Sequence, residues 1–449
     1  MRFIHTADWH LGRTFHNVSL VDDQAHVLDQ VVALVKETRA DALVVAGDVY
    51  DRAVPPTDAV RLLGDVLERV VVGLEVPVVM IAGNHDSPDR LEFGAPLLSS
   101  RGLHVRGTLS PDAGPVVLHD EDGPVNFFLL PYAEPPLVRE RLGNDGLRSH
   151  NEAMRALTER ILGPVAQGPK LDPRPRQEGP PHRAGGSAPM ESHPNPQRTV
   201  LLAHCFAAGG ESSESERPLT VGGAGTVDPD CFRGFSYTAL GHLHRPQAFG
   251  SRVRYSGSLL KYSFSEADHR KSVSVVELDA SGSVTVEEIP LSPRRDVRIV
   301  EGYLKELLGA AGLGIGAKDE GLAAPPRNPT SGASASRGSP HDYLLVRLLD
   351  KEAILDPMGK LRQAFPNALH VERPGLWSTR EVKVAGRERL KSSVMDLFAA
   401  FFQEMTDEPL DDRQRAAFAE IVEEMDREER EAGSRSGSGR APGSPEAGP

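Results

Sequence analysis

Ala42-Leu43-Val44-Val45-Ala46-Gly47-Asp48-Val49-Tyr50-Asp51-Arg52 decides the fold. Its apolar opening, Ala42 to Ala46, reads as a strand buried on both faces. Gly47 lets the backbone turn sharply, and the carboxylate of Asp48 follows at once. In open α/β sheets, ligands and reacting groups gather just beyond the carboxyl ends of strands. Taken alone, Asp48 fits a helix cap or an Asx turn better than a site. Four further stretches repeat the pattern of an apolar run that ends on polar groups, and the repetition favours a site.

Phe3 to Ala7 reads as a first strand and delivers Asp8-Trp9-His10. Residues 20–39 and 57–72 carry apolar residues at helical spacing. Val76 to Ile81 is the next strand and ends in Gly83-Asn84-His85-Asp86. The order strand, helix, strand, helix, strand predicts a layered α/β fold with a mostly parallel start. Residues 115–131 read as shorter strands. Thr199 to Ala203 delivers His204, and Ser236 to Leu240 leads into Gly241-His242-Leu243-His244. Residues 253–289 alternate like an antiparallel meander.

Composition bounds the rest. The 449 residues suffice for two or three domains, and 39% hydrophobic residues suffice for ordinary cores. Two cysteines, Cys205 and Cys231, give no disulfide framework and fit a reducing cytoplasm. No signal-peptide core and no apolar run of bilayer length stand out, so no membrane is expected. The net charge of −13 argues against a protein that coats nucleic acid unaided. Much of the acid lies in 404–431, where twelve Asp and Glu face four Arg.

Residues 163–198 hold nine prolines and no apolar periodicity, and read as a disordered insertion in which His182 and His193 are solvated. From 291 to 387 the signals are those of a small α+β domain, interrupted by a second low-complexity insertion at 310–340. Residues 388–431 read as helical, with apolar stripes over 394–405 and 418–425. Asp411 and Asp412 suit a helix N-terminus. The tail, 432–449, is Gly/Ser/Pro-rich.

Asp8, His10, Asp48, Asn84, His204, His242 and His244 form one candidate donor set if their strands share one sheet. Oxygen and imidazole without thiolate point to manganese first, with iron or zinc as alternatives. Seven donors exceed what one ion needs. A bridging Asp48 would hold two ions roughly 3.5–4 Å apart, the spacing of in-line displacement at phosphorus.

These motifs resemble the calcineurin-like metallophosphoesterase superfamily over roughly 1–270. Thr6-Ala7-Asp8-Trp9-His10-Leu11-Gly12-Arg13, Gly83-Asn84-His85-Asp86-Ser87, Gly241-His242-Leu243-His244-Arg245-Pro246-Gln247, Tyr255-Ser256-Gly257-Ser258 and Tyr262-Ser263-Phe264-Ser265-Glu266 are similar to its SbcD family. The resemblance implies a metallophosphoesterase-type α/β sandwich over 1–290, followed by the α+β capping domain and C-terminal helices. It implies Asp8, His10, Asp48 and His244 around a first Mn²⁺, and Asp48, Asn84, His204 and His242 around a second. It also implies that His85 contacts the scissile phosphate and that Asp86 orients His85.

The implied activity is a metal-dependent deoxyribonuclease, a 3'-5' double-strand exonuclease and single-strand or hairpin endonuclease. It would act in DNA repair, recombination and replication, in the cytoplasm at the nucleoid. The implied partners are an SbcC-type ATPase and a second copy of the chain, within a heterotetramer. This chain has no G-x-x-x-x-G-K-[ST], so ATP dependence must come from that ATPase. Some relatives carry a histidine where Asp51 stands, so no DNA-positioning role transfers there. An Asp51–Arg52 ion pair is the plainer expectation. A phosphatase or small-molecule phosphodiesterase of the same superfamily is the alternative.

Overall fold

The computed structural model describes residues 1–162, 198–217, 225–310, 338–352 and 354–374, together with Met395, Phe398, Ala399, Phe402, Gln403 and 409–419. Met1–Leu376 form one compact unit and Trp377–Pro449 a second. The insertions expected at 163–198 and 310–340 fall almost wholly outside the described residues, as do His182, His193 and the tail.

Two six-stranded sheets build the first unit. Sheet I contains β1 (Arg2–Thr6), β2 (Ala42–Ala46), β3 (Val78–Ile81) and β4 (Leu103–Arg106), all parallel. An antiparallel hairpin, Ser272–Leu278 with Val284–Pro290, extends it beside β1. Sheet II is centred on β5 (Gly123–Leu130), β6 (Thr199–His204), β7 (Tyr237–Gly241) and β8 (Val253–Tyr255), again parallel. Antiparallel strands Val116–Asp120 and Gln247–Phe249 close its edges.

Alternation along the strands explains the layers. Val44, Ala46, Val79 and Ile81 point between the sheets, against Phe127, Val200, Leu202 and Ala239 of sheet II. Leu43, Val45, Val78 and Met80 point the other way, toward helices α1 (Val21–Glu37) and α2 (Thr57–Leu67). Helix α3 (His150–Leu162) covers the far side of sheet II through Ala153, Met154 and Leu157. Both faces of the central strands of both sheets are thus buried, which is why those strands read as continuous apolar runs. Phe3 sits at the centre, 5.7 Å ring to ring from both Phe127 and Tyr237.

The expectations need four adjustments. The motif-bearing strands belong to two facing sheets, because an apolar run does not record which sheet receives it. The 253–289 stretch is no single meander: Val253–Tyr255 joins sheet II and the 272–290 hairpin joins sheet I. The helix expected over 57–72 is α-helical to Leu67 and then widens into a π turn, Glu68–Gly73. Arg198, placed at the end of the linker, is buried and bonds Asp120 at 2.7 and 2.6 Å.

Beyond 291, Val297–Gly302, Tyr343–Leu348 and Ala368–Glu372 form a parallel three-stranded sheet. It packs on Leu304–Ala310 and Pro357–Ala364 around a core of its own. This α+β part is anchored to α1, where Asp23 accepts from Arg295 at 2.9 and 2.6 Å and from the Tyr343 hydroxyl at 2.9 Å. In the second unit, residues 412–419 are helical. Asp411 and Gln414 bond reciprocally at 3.0 and 2.7 Å as a capping box. Phe398 stacks on Phe418 with centroids 3.7 Å apart, so the two expected apolar stripes meet each other at that point.

Candidate metal centre

Each motif occupies a loop that a parallel strand must leave sharply. Among these residues Asp8, His10, Asp48 and His242 all hold positive φ, between 46° and 107°. Such backbone is uncommon outside glycine and marks places where the surroundings fix a strained turn. Main-chain bonds fix this one: Asp8 N donates to Gly47 O at 3.0 Å, and His10 N to Asp48 O at 2.9 Å. Gly47 itself turns at φ +91°. At Gly83 closeness matters instead, since a Cβ there would lie 2.2 Å from Asp48 Oδ1.

The two sheets bring all seven expected donors together. Sheet I supplies Asp8, His10, Asp48 and Asn84, and sheet II supplies His204, His242 and His244. Asp48 Oδ2 lies 3.7 Å from His10 Nε2 and 3.5 Å from His204 Nε2. Two groups each place donor atoms within 4.8 Å of one another, Asp8–His10–His244 and Asp48–His204–His242. Asn84 Oδ1 stands beside the second, 3.0 Å from His204 Nε2 and 3.2 Å from His242 Nδ1. A third such group, His10–Asp51–His85, overlaps the first.

Burial dominates the electrostatics. It pushes the Asp8 carboxyl up to about 7 and the Asp86 carboxyl up to about 6, and drives His10 and His242 well down. Burial would raise Asp48 too, but the imidazoles of His204, His10 and His85 outweigh it and hold the carboxyl well below the usual range. His204 goes the other way: burial lowers it, yet the Asp48 charge and hydrogen bond raise it to about 9.

This arrangement fits bound cations. His10 Nε2 and His244 Nε2 face each other at 3.0 Å, and both imidazoles are fully buried. His10 Nδ1 has no hydrogen-bond partner. Converging imidazole lone pairs beside buried carboxylates are costly by themselves and favourable around a shared positive charge. The His204 Nδ1 atom lies 3.0 Å from Ala46 O, so an Nδ1–H donor there leaves Nε2 free to ligate.

Two expected roles change. Asp86 does not orient His85. Its carboxylate accepts from three main-chain N–H groups, Val49 at 3.0 Å, Tyr50 at 2.8 Å and Gly83 at 2.9 Å, and ties the two loops together. His85 Nδ1 instead lies 2.8 Å from the main-chain oxygen of Asp51. Asp51 pairs with Arg13 at 3.1 Å rather than with Arg52, which is exposed. Distance along the chain hides this pair, since Arg13 and Asp51 are 38 residues apart.

Sequence reasoning also missed the supports. Gln24 Nε2 donates to Trp9 O at 3.1 Å and His10 O at 2.7 Å, while its Oε1 accepts from Gly12 N at 3.0 Å. Tyr262 donates its hydroxyl to Trp9 O. A buried glutamine amid the apolar stripe of α1 was the one available signal.

Two family models match the chain. The calcineurin-like phosphoesterase model covers residues 1–137. The SbcD_C model, described as type 5 capsule protein repressor C-terminal domain, covers residues 293–406. His204, His242 and His244 lie between the two matches. Among solved structures, TT1561 of Thermus thermophilus is similar at 13% identity and TM-score 0.30, over 64% of this chain and 98% of that one. GAP50, the anchor in the inner membrane complex of Plasmodium, is similar at 10% identity and TM-score 0.33, over 66% and 90%. At such scores neither bears on what this chain does.

Proposed function

We propose that this chain, a calcineurin-like phosphoesterase with an SbcD-type C-terminal domain, is the nuclease subunit of an SbcC–SbcD-type complex. The phosphoesterase class and its divalent ions follow from the family. DNA as substrate, Mn²⁺ as the ion and the ATPase as partner are our reading. The observation that carries it is Asp48, whose one carboxylate lies between imidazoles from both sheets, in a chain that also has the SbcD-type C-terminal domain.

Asp8, His10, Asp48 and His244 would hold one ion, and Asp48, Asn84, His204 and His242 the other. Bound divalent ions would neutralise phosphate oxygens and lower the pKa of water at the site. His85 is the group left for proton transfer. Its Nδ1 is engaged by Asp51 O, so the proton it exchanges is carried on Nε2, which lies 4.0 Å from Asp48 Oδ2. Burial lowers its proton affinity, with Arg217 adding to that effect. A phosphodiester brought close would raise it again and let Nε2–H serve the leaving oxygen. Arg13 and Arg217 add positive charge that suits a polyanion.

Phe93, in the turn before a short helix, and Leu97, on that helix, are 86% and 81% exposed, an apolar surface suited to a second copy of the chain. The 388–431 region is our candidate for docking on the coiled coil of the ATPase. The acidic 404–431 stretch would select a basic surface and discourage DNA there. Among the described residues no helix is long and apolar enough to cross a membrane.

The test offers the full chain with Mn²⁺ a hairpin DNA, a linear duplex and a phosphomonoester, with and without an SbcC-type ATPase. Cleavage of DNA, with duplex ends cut only when the ATPase and ATP are present, is the expected result. Hydrolysis of the monoester with DNA untouched would assign the site to a phosphatase instead. Truncation after Leu390 should keep single-strand cleavage and lose binding to the ATPase.

A further inference from the structure

Tyr262-Ser263-Phe264-Ser265-Glu266 supplies none of the seven donors, yet Glu266 is fully buried. Its partner Lys271 is buried too, with Nζ 2.5 Å from Glu266 Oε2. A charged pair this deep loses in desolvation about what its attraction returns, so stability alone is a weak reason for it. Its surroundings supply a better one. Lys271 Nζ also donates to His244 O at 2.8 Å and to Ser258 Oγ at 2.8 Å. On the other carboxylate oxygen, Ser215 donates its hydroxyl to Glu266 Oε1. Ser215 Oγ in turn stands 2.6 Å from His244 Nδ1. Glu216 holds the main chain there, accepting from His244 N at 2.7 Å.

We propose that Ser215, Glu266 and Lys271 form a relay that positions His244 and fixes which of its ring nitrogens meets an ion. The inference rests on the two-ion reading above. The direction of each bond follows from what each group can do. Lys271 only donates, and the Glu266 carboxylate only accepts. The single hydroxyl proton of Ser215 is therefore committed to Glu266. Toward His244, Ser215 can only accept, so Nδ1 carries the ring proton. The lone pair is then on Nε2, the atom that faces His10 Nε2 at 3.0 Å. The relay thus does through one hydroxyl what Ala46 O does directly for His204. Ser215, Glu266 and Lys271 are positioning residues, since they act through His244. Such outer supports are worth about 10–100-fold in metal affinity.

The experiment is Mn²⁺ titration calorimetry on the metal-stripped full chain, beside Ser215→Ala and Glu266→Gln, with thermal unfolding of each metal-free protein. Wild type should take up two ions. Each variant should weaken one ion by about 10–100-fold and leave the other unchanged. Ser215→Ala keeps the buried ion pair, so it decides the matter if Glu266→Gln does not fold. Unchanged affinity for both ions in Ser215→Ala would overturn the relay. So would an equal weakening of both that tracks a lower melting temperature, because that is a structural effect only. Fewer than two ions in wild type would strike the two-ion reading itself and take the relay with it.

Discussion

The two sheets bring unlike chemistry to the same edge. Sheet I contributes all the oxygen donors, Asp8, Asp48 and Asn84, along with His10 and His85. Sheet II contributes imidazole alone, His204, His242 and His244. The oxygen side is made by strained backbone: three of its residues hold positive φ, and Asp86 pins its loops through three N–H groups. The imidazole side is made by side-chain bonds on the far ring nitrogen, to Ala46 O for His204 and to Ser215 for His244. The oxygen side therefore depends on main-chain geometry, and the imidazole side on tautomer at His204 and His244, with His242 set by its own positive φ. Neither is complete alone, so packing between the sheets is a condition of the site.

Substitutions that touch one side at a time can break this contrast. The largest effect is expected at His85, which donates nothing to the ion set in our assignment. His85→Ala should lower phosphodiester cleavage by about 10²–10⁴-fold. Metal content should stay as in wild type, and elemental analysis that finds it reduced would make His85 a ligand. Next comes the joint between the sheets. Phe3→Ala should cost about 3–5 kcal/mol by urea unfolding, as for other buried aromatic truncations. A cost below about 1 kcal/mol would mean that the sheets do not depend on each other there. On the oxygen side, Gly83→Ala forces Asp48 aside and should cost about 10²-fold in cleavage, with its loss of stability the smaller part. Full activity in that variant would show that main-chain geometry is not what sets the carboxylate.

The smallest effect is a pH dependence. His5 lies between the sheets with Nδ1 2.9 Å from the Tyr237 hydroxyl, and burial drives its pKa down to about 3. The unfolded chain therefore binds a proton that the folded chain refuses between about pH 6.5 and 3. Stability is fully present above that window and is lost as the pH falls through it. His5→Leu should flatten the acid limb of the stability curve, and an unchanged limb would assign the loss to other groups.

Much of this was legible in the sequence, for a definite reason. A strand buried on both faces writes an apolar run, and the polar residue that ends it is a local signal. Asp8, His10, Asp48, Asn84, His204, His242 and His244 stand out that way. Sheet membership was not legible, because Val44 and Val200 are equally apolar and pack face to face from different sheets. The roles of Asp51 and Asp86 were hidden because most of their partners are not their sequence neighbours. Arg13 is far along the chain from Asp51, as are the N–H groups of Val49 and Tyr50 from Asp86. Ser215, Glu266 and Lys271 were missed as a unit for the same reason: 51 residues separate Ser215 from Glu266.

The central claim is that Asp48 joins two ion sites, each completed by imidazole from sheet II. Metal content per chain after equilibration with Mn²⁺ tests it most directly, in wild type and in Asp48→Ala. The account predicts two ions in wild type and no more than one in the variant, with cleavage of DNA abolished. Two tightly held ions and near-normal cleavage in Asp48→Ala would contradict it.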